Sequence, residues 1–177
     1  MERGVVGYEE CYDWLTETLL QFKYEKDVPL IDMFLDPLKI KNNLYEYDAI
    51  YIGGGNTYKL LNFITENNLM SSLIDANKKG THIYGGSAGG IILGKSIKTV
   101  VEENDHQYIY DLGLNLLNGY CIRCHFDLNK NLSDIIRFFN VDSSPVIALP
   151  ESSGLIIENN VMSVVGDLPI LLFRGQN

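Results

Sequence analysis

Thr81-His82-Ile83-Tyr84-Gly85-Gly86-Ser87-Ala88-Gly89-Gly90-Ile91-Ile92-Leu93 is the stretch that decides the fold. Thr81 to Tyr84 reads as a strand. The glycines around Ser87 mark a sharp turn, and Ala88 to Leu93 is short, small-residue and helical in character. Gly85-x-Ser87-x-Gly89 between a strand and a helix is the arrangement of a nucleophile elbow. Hydrogen side chains let a strained turn lie close to the neighbouring strand and helix, holding the serine hydroxyl out at the carboxyl end of a sheet. The Ala88 amide, at a helix start, then points toward a developing oxyanion. The competing reading of the pentapeptide is a glycine-rich turn that binds phosphate.

Upstream, Ala49-Ile50-Tyr51-Ile52 is a second strand running into Gly53-Gly54-Gly55-Asn56. Asn56 or Thr57 caps a helix with Leu60, Leu61 and Ile64 on one face, and a further helix from about Leu69 stops at Gly80. The spacing of Tyr8, Cys11, Tyr12, Leu15, Leu19 and Phe22 predicts an opening helix, and Val28 to Ile31 a short strand. Downstream, Ile97 to Val101, Tyr120 to Cys124 and Val146 to Leu149 read as strands, with a helix over Leu132 to Asn140. Two β-rich runs, Leu155 to Glu158 and Val161 to Val165, flank Asn159-Asn160, a tight hairpin turn because asparagine tolerates positive φ. Ile170 to Phe173 closes the sheet. The expected fold is α/β: three layers, a mostly parallel sheet flanked by helices, with an antiparallel edge.

The chain has 177 residues, 46% of them hydrophobic, which suits one domain spanning 1–177. A formal net charge of −9 argues against nucleic acid or an anionic membrane as partner. No apolar run is long enough to span a bilayer, and Met1-Glu2-Arg3-Gly4 does not open a secretory signal, so a cytoplasmic location is expected. Cys11, Cys121 and Cys124 are an odd set without an export signal, which disfavours a disulfide framework.

A serine needs a base within hydrogen-bond reach and a third group to orient that base. Of three histidines, His82 lies within the elbow strand and His106 in a polar loop. His125 follows the strand Tyr120 to Cys124 where the chain leaves the sheet, the place where ligands bind in open α/β folds. For the orienting carboxylate, Glu102 ends the apolar run Ile97 to Val101, with Glu103 and Asp105 as close competitors. Gly53-Gly54-Gly55-Asn56 offers a second set of amides for an oxyanion hole. It fails as a dinucleotide fingerprint because Tyr58 stands at the third glycine position, and as a Walker loop because the Gly-Lys-Ser/Thr ending is absent. Cys121-Ile122-Arg123-Cys124-His125 spells a haem-attachment motif, but on a strand and without an export signal it reads as packing beside the histidine. No metal site is expected, since the cluster has too few ligands.

Tyr51-Ile-Gly-Gly-Gly-Asn-Thr-Tyr, Gly-Gly-Ser87-Ala-Gly-Gly, His125-Phe126 and Leu149-Pro-Glu-Ser, in that order, resemble the motifs of the dipeptidase E (alpha-aspartyl dipeptidase) family of serine peptidases, whose wider relatives include cyanophycinase. The similarity runs from about Ala49 to the C-terminus. It implies a class I glutamine amidotransferase-like (flavodoxin-like) fold and hydrolysis of dipeptides or short peptides, often with an N-terminal aspartate, without metal or cofactor. Carried over by position, the nucleophile falls on Ser87, the histidine on His125, the acid on Glu102 and the oxyanion amides on Gly55 and Ala88, with Gly54 and Asn56 beside them. Two departures stand out. The family's arginine-bearing stretch after the histidine has no clear counterpart in residues 127–134; Arg123, Lys130 and Arg137 are the cations left to meet a substrate carboxylate. Relatives also begin with a strand and loop before the first helix, whereas this chain starts near that helix. The expectation is therefore a fragment, or a sheet compensated by local rearrangement or by a homodimer. Competing functions are a degenerate relative that binds a small molecule or peptide without turnover, and a serine hydrolase for another ester or amide.

Overall fold

A computed structural model of the chain describes residues 8–20 and 41–175. Helix α1 (Tyr8–Leu20) opens it, and a 3-10 turn at Leu44–Glu46 leads into β1 (Ala49–Ile52). The expected strand Val28 to Ile31 lies outside the described residues. Helices α2 (Thr57–Glu66) and α3 (Leu69–Lys78) follow β1, then β2 (His82–Gly85) and the short α4 (Ala88–Leu93). Asn56 does cap α2: its Oδ1 accepts from the Lys59 amide at 2.9 Å, supplying one partner that the first turn lacks.

β1 and β2 pair in parallel, Ala49 opposite His82 through Ile52 opposite Gly85. The crossover between them carries α2 and α3, whose Leu61, Ile64, Leu69 and Leu73 are buried in one core with Ile50, Ile52, Ile92 and Ile122. A second parallel pair joins β3 (Cys121–Arg123) to β4 (Val146–Ala148), and β4 also pairs antiparallel with β7 (Leu171–Phe173). Helix α5 (Leu128–Phe139) connects β3 to β4 and buries Ile135 and Phe138 against Cys121, Phe126, Val146 and Ala148. β5 (Ser153–Glu158) and β6 (Val161–Gly166) form an antiparallel hairpin whose turn residues Asn159 and Asn160 sit at φ 51° and 62°. The described residues thus form an α/β arrangement with mixed strand directions.

Ile97 to Val101 is not a strand. Ser96 makes one isolated bridge to Leu112, and the Val100 amide turns back onto the Ile97 carbonyl at 3.0 Å. Ile97 and Val100 are nevertheless buried, so the apolar run belongs to a loop folded into the core. Thr99 Oγ1 donates to the Ile122 carbonyl and fixes that loop against β3. Helix α5 starts four residues earlier than its apolar spacing indicates, because Asp127 caps it by accepting from the Asn129 amide at 2.9 Å.

Candidate active site

Ser87 follows the carboxyl end of β2, His125 that of β3, and Glu151 that of β4. Side-chain contacts bring these three strand-to-loop junctions together at one rim. The turn at Ser87 is as tight as its glycines require. A Cβ on Gly89 would stand 1.9 Å from the Ile52 carbonyl oxygen, and one on Gly85 2.5 Å from the Gly89 carbonyl oxygen. Any side chain there would push α4 off β1 and β2. Ser87 itself sits at φ 50°, ψ −115°, a strained conformation for a residue with a Cβ.

Ser87 Oγ lies 2.7 Å from His125 Nε2, and His125 Nδ1 meets Glu151 Oε1. With Nδ1–H donating to the carboxylate, Nε2 is left as the acceptor of the serine proton. The series Ser87, His125, Glu151 has the connectivity of a hydrolase triad. His125 is also at positive φ, 55°, so both the hydroxyl and the imidazole are presented from constrained backbone.

Glu102 is not in this series. Its Oε1 accepts from the Thr57 amide at 2.5 Å, adding a carboxylate at the N-terminus of α2. The Tyr58 hydroxyl is raised by burial and then by the Glu102 carboxylate, consistent with that placement. Among the described residues neither Glu103 nor Asp105 meets the imidazole. The sequence reading missed Glu151, although it sits in the Leu149-Pro150-Glu151-Ser152 motif, immediately beyond a predicted strand.

Of the expected oxyanion residues in the turn after β1, Gly54 lies against Ser87: a Cβ placed on it would be 3.2 Å from Ser87 Cβ and 3.7 Å from Ser87 Oγ. Gly55, at φ 121°, follows Gly54 in the turn, and Ala88, next to Ser87, is the first residue of α4. Among the described residues no acceptor takes the amide of either. Asn56 uses its side chain on the helix cap. A groove of about 1130 Å³ opens at Ser87, His125 and Glu151 and runs along β2 past Tyr84 toward Leu155. Tyr84, which lines the groove, stacks on Tyr51 with 5.3 Å between ring centroids.

The cations considered for a substrate carboxylate are engaged elsewhere. Arg123 pairs with Asp134, Lys130 with Asp127, and Arg137 donates to the Val100 carbonyl. Cys121 and Cys124 are buried free thiols, and burial pushes Cys124 up to about 11, so it packs as a protonated thiol. Among the described residues no group of three or more His, Cys, Asp and Glu side chains could hold a metal ion, and no helix is long and apolar enough to cross a membrane.

Strand-end placement together with the hydrogen-bonded Ser–His–carboxylate series defines the class: an α/β protein carrying that series at the ends of its strands. The family model for Peptidase family S51 matches residues 10–165, and the chain belongs to that family. It is 34% identical over 137 residues to peptidase E of Haemophilus influenzae (strain PittGG), covering 71% of this chain and 57% of the relative. Against peptidase E of Shewanella putrefaciens (strain CN-32) it is 30% identical over 165 residues, 85% of this chain and 66% of the relative. The chain thus spans about three-fifths to two-thirds of these relatives' length. In structure it resembles a Listeria monocytogenes EGD-e protein assigned to peptidase E, with a TM-score of 0.67 at 17% identity over 98% of this chain and 81% of that one. It also resembles a peptidase from an acI-B1 Actinobacterium, with a TM-score of 0.66 at 19% identity over 98% of this chain and 78% of that one.

Proposed function

We propose that the chain is a serine peptidase that hydrolyses dipeptides or short peptides through Ser87, His125 and Glu151. The observation that carries this reading is the 2.7 Å contact between Ser87 Oγ and His125 Nε2, with the other ring nitrogen on a carboxylate. His125 Nε2 takes the serine proton as Oγ attacks the peptide carbonyl, and the imidazolium gains the Glu151 carboxylate as counter-ion. The amides of Gly55 and Ala88 hold the oxyanion of the tetrahedral intermediate. Nε2 then protonates the leaving amine as the C–N bond breaks. Water attacks the acyl-enzyme, gives its proton to Nε2, and Oγ recovers that proton as the acid departs.

Family membership supports peptide rather than general ester chemistry, and the strand-end position of the nucleophile supports a class I glutamine amidotransferase-like architecture. An N-terminal aspartate preference has less support, because Arg123, Lys130 and Arg137 all have partners within the chain. The buried, unbridged thiols of Cys121 and Cys124 support a cytoplasmic location. The test is incubation with a panel of dipeptides and aminoacyl anilides beside Ser87→Ala, and with a fluorophosphonate. Turnover lost in the variant, with a mass increment on Ser87, is the expected result. Folded wild-type protein that neither labels nor turns over any substrate would refute it.

A further inference from the structure

Arg123 is 5% exposed at the end of β3, an unusual place for a guanidinium two residues before the candidate base. Its Nη2 donates to Asp134 Oδ2 of α5 at 2.9 Å, and its Nη1 to the Cys124 carbonyl at 2.6 Å. Nε is buried without a hydrogen-bond partner among the described residues, a cost that an apolar side chain at 123 would avoid. A charge buried with one donor unpaired is a poor way to gain stability, since well-packed apolar replacements for such pairs are usually at least as stable.

The geometry of the β3–β4 ladder shows what the guanidinium holds. The Leu149 amide donates to the Arg123 carbonyl at 2.8 Å, and the Phe126 amide donates to the Leu149 carbonyl at 2.9 Å. Between those two rungs the chain leaves the ladder, and His125 takes its positive φ of 55°. The Cys124 carbonyl, at the alternate position of the strand, faces away from β4 as the Ile122 carbonyl does, and with no strand paired on that side Arg123 Nη1 takes it among the described residues. On the other side of Cys124 the thiol donates to the Ser87 carbonyl at 3.5 Å. One residue thus ties the nucleophile's backbone to the base's backbone, and Arg123 fixes that residue's carbonyl.

We infer that Arg123, braced by Asp134, is a positioning residue that sets the Cys124–His125 peptide and so holds the imidazole on Ser87 Oγ. The inference rests on the serine-peptidase reading for its kinetic consequence only. The guanidinium fork suits the task because one planar group serves the carboxylate and the carbonyl together; a lysine reaches one of them.

The test separates positioning from stability with three variants of the full chain: Arg123→Lys, Asp134→Asn, and the double variant Arg123→Met with Asp134→Leu, which removes both buried charges together. The double variant is expected to keep its thermal midpoint within a few degrees. Its kcat should fall about 10- to 100-fold with KM within about threefold, since a small misplacement of a reacting group costs about that much. Arg123→Lys should not restore the rate. Fluorophosphonate labelling of Ser87 should slow in step, and the imidazole Nδ1 proton resonance should broaden or move in the Arg123 variants but persist in Ser87→Ala. A folded double variant or Arg123→Lys with wild-type kcat and an unchanged imidazole resonance would overturn the inference. Absent turnover in the wild type would refute the peptidase reading alone, because the imidazole resonance still reports whether Arg123 positions the ring.

Discussion

Replacing Glu151 by glutamine should cost far more activity than replacing Glu102 by glutamine, and the contrast can be sized from the contacts. In the proposed mechanism Glu151 Oε1 accepts the hydrogen bond from His125 Nδ1–H, and its carboxylate is the counter-ion of the imidazolium formed when the serine is deprotonated. A glutamine of the same shape either offers a neutral oxygen or turns its amide toward Nδ1 and favours the wrong tautomer. In enclosed triads that loss is about 10⁴-fold. Here the side chains of His125 and Glu151 are 51% and 76% exposed, so water screens their interaction. The expected fall in kcat is therefore about 10²- to 10³-fold, or about 2.7–4 kcal/mol of barrier. Glu102 accepts one amide bond at the N-terminus of α2, and glutamine retains that acceptor. The loss is confined to a charge–dipole contribution of about 0.3–1 kcal/mol in stability, with turnover within about threefold. Steady-state kinetics on a dipeptide, with thermal midpoints for both variants, reads the difference. Equal losses in the two variants, or an active Glu151→Gln, would refute the assignment of Glu151 as the orienting acid.

Gly89→Ala should fail to fold or lose several kcal/mol in denaturant titration, because its Cβ would stand 1.9 Å from the Ile52 carbonyl oxygen; a variant of wild-type stability would show that the elbow has room. Cys124 should resist iodoacetamide at about pH 8 in the folded protein, since burial pushes its thiol up to about 11, and should react once urea unfolds the chain; mass spectrometry of the alkylated peptide checks this. Asp127 is held below the usual carboxylate range by Lys130 and by the Asn129 amide, so its contribution is present above the unfolded-state value and lost as pH falls through the folded one. Thermal midpoints measured from about pH 6 down to pH 2 should therefore decline with a component that Asp127→Asn removes.

The strand–turn–helix at Ser87 and the placement of His125 beside it were legible because each is a local pattern read in place. Strand, glycine turn and helix around Ser87 constrain one another sterically, and His125 follows a strand at the edge where β/α loops gather. The carboxylate that meets His125 in the structure was not legible, for a physical reason. Ile97 to Val101 is apolar because it is buried, and burial alone does not distinguish a strand from a loop pinned into the core by Thr99 on the Ile122 carbonyl. Taking it for a strand made Glu102 look like a strand-end carboxylate. The rule that selected His125, a polar residue just beyond a parallel strand, also selects Glu151 after β4; applied once more it would have completed the series. The contact of Arg123 with the Cys124 carbonyl had no sequence signal, since it depends on which edge of β3 is left without a strand partner.

That edge gives the Cys121-x-x-Cys124-His125 run its structural meaning. Ser87 and His125 are each held at positive φ, a conformation that side-chain contacts alone hold poorly, because a relaxed backbone would swing both away. Cys124 lies between them in space, its thiol on the Ser87 carbonyl and its own carbonyl on Arg123. Its burial keeps the sulfur protonated, and only the protonated form donates. The half-buried hydroxyl and the exposed imidazole and carboxylate at the rim thus depend on a dry layer beneath them, where a thiol, a guanidinium and a glycine turn set the backbone. Chemistry at the surface and strain in the interior belong to one construction, in which the open side chains stay in register because the peptide groups carrying them cannot relax independently.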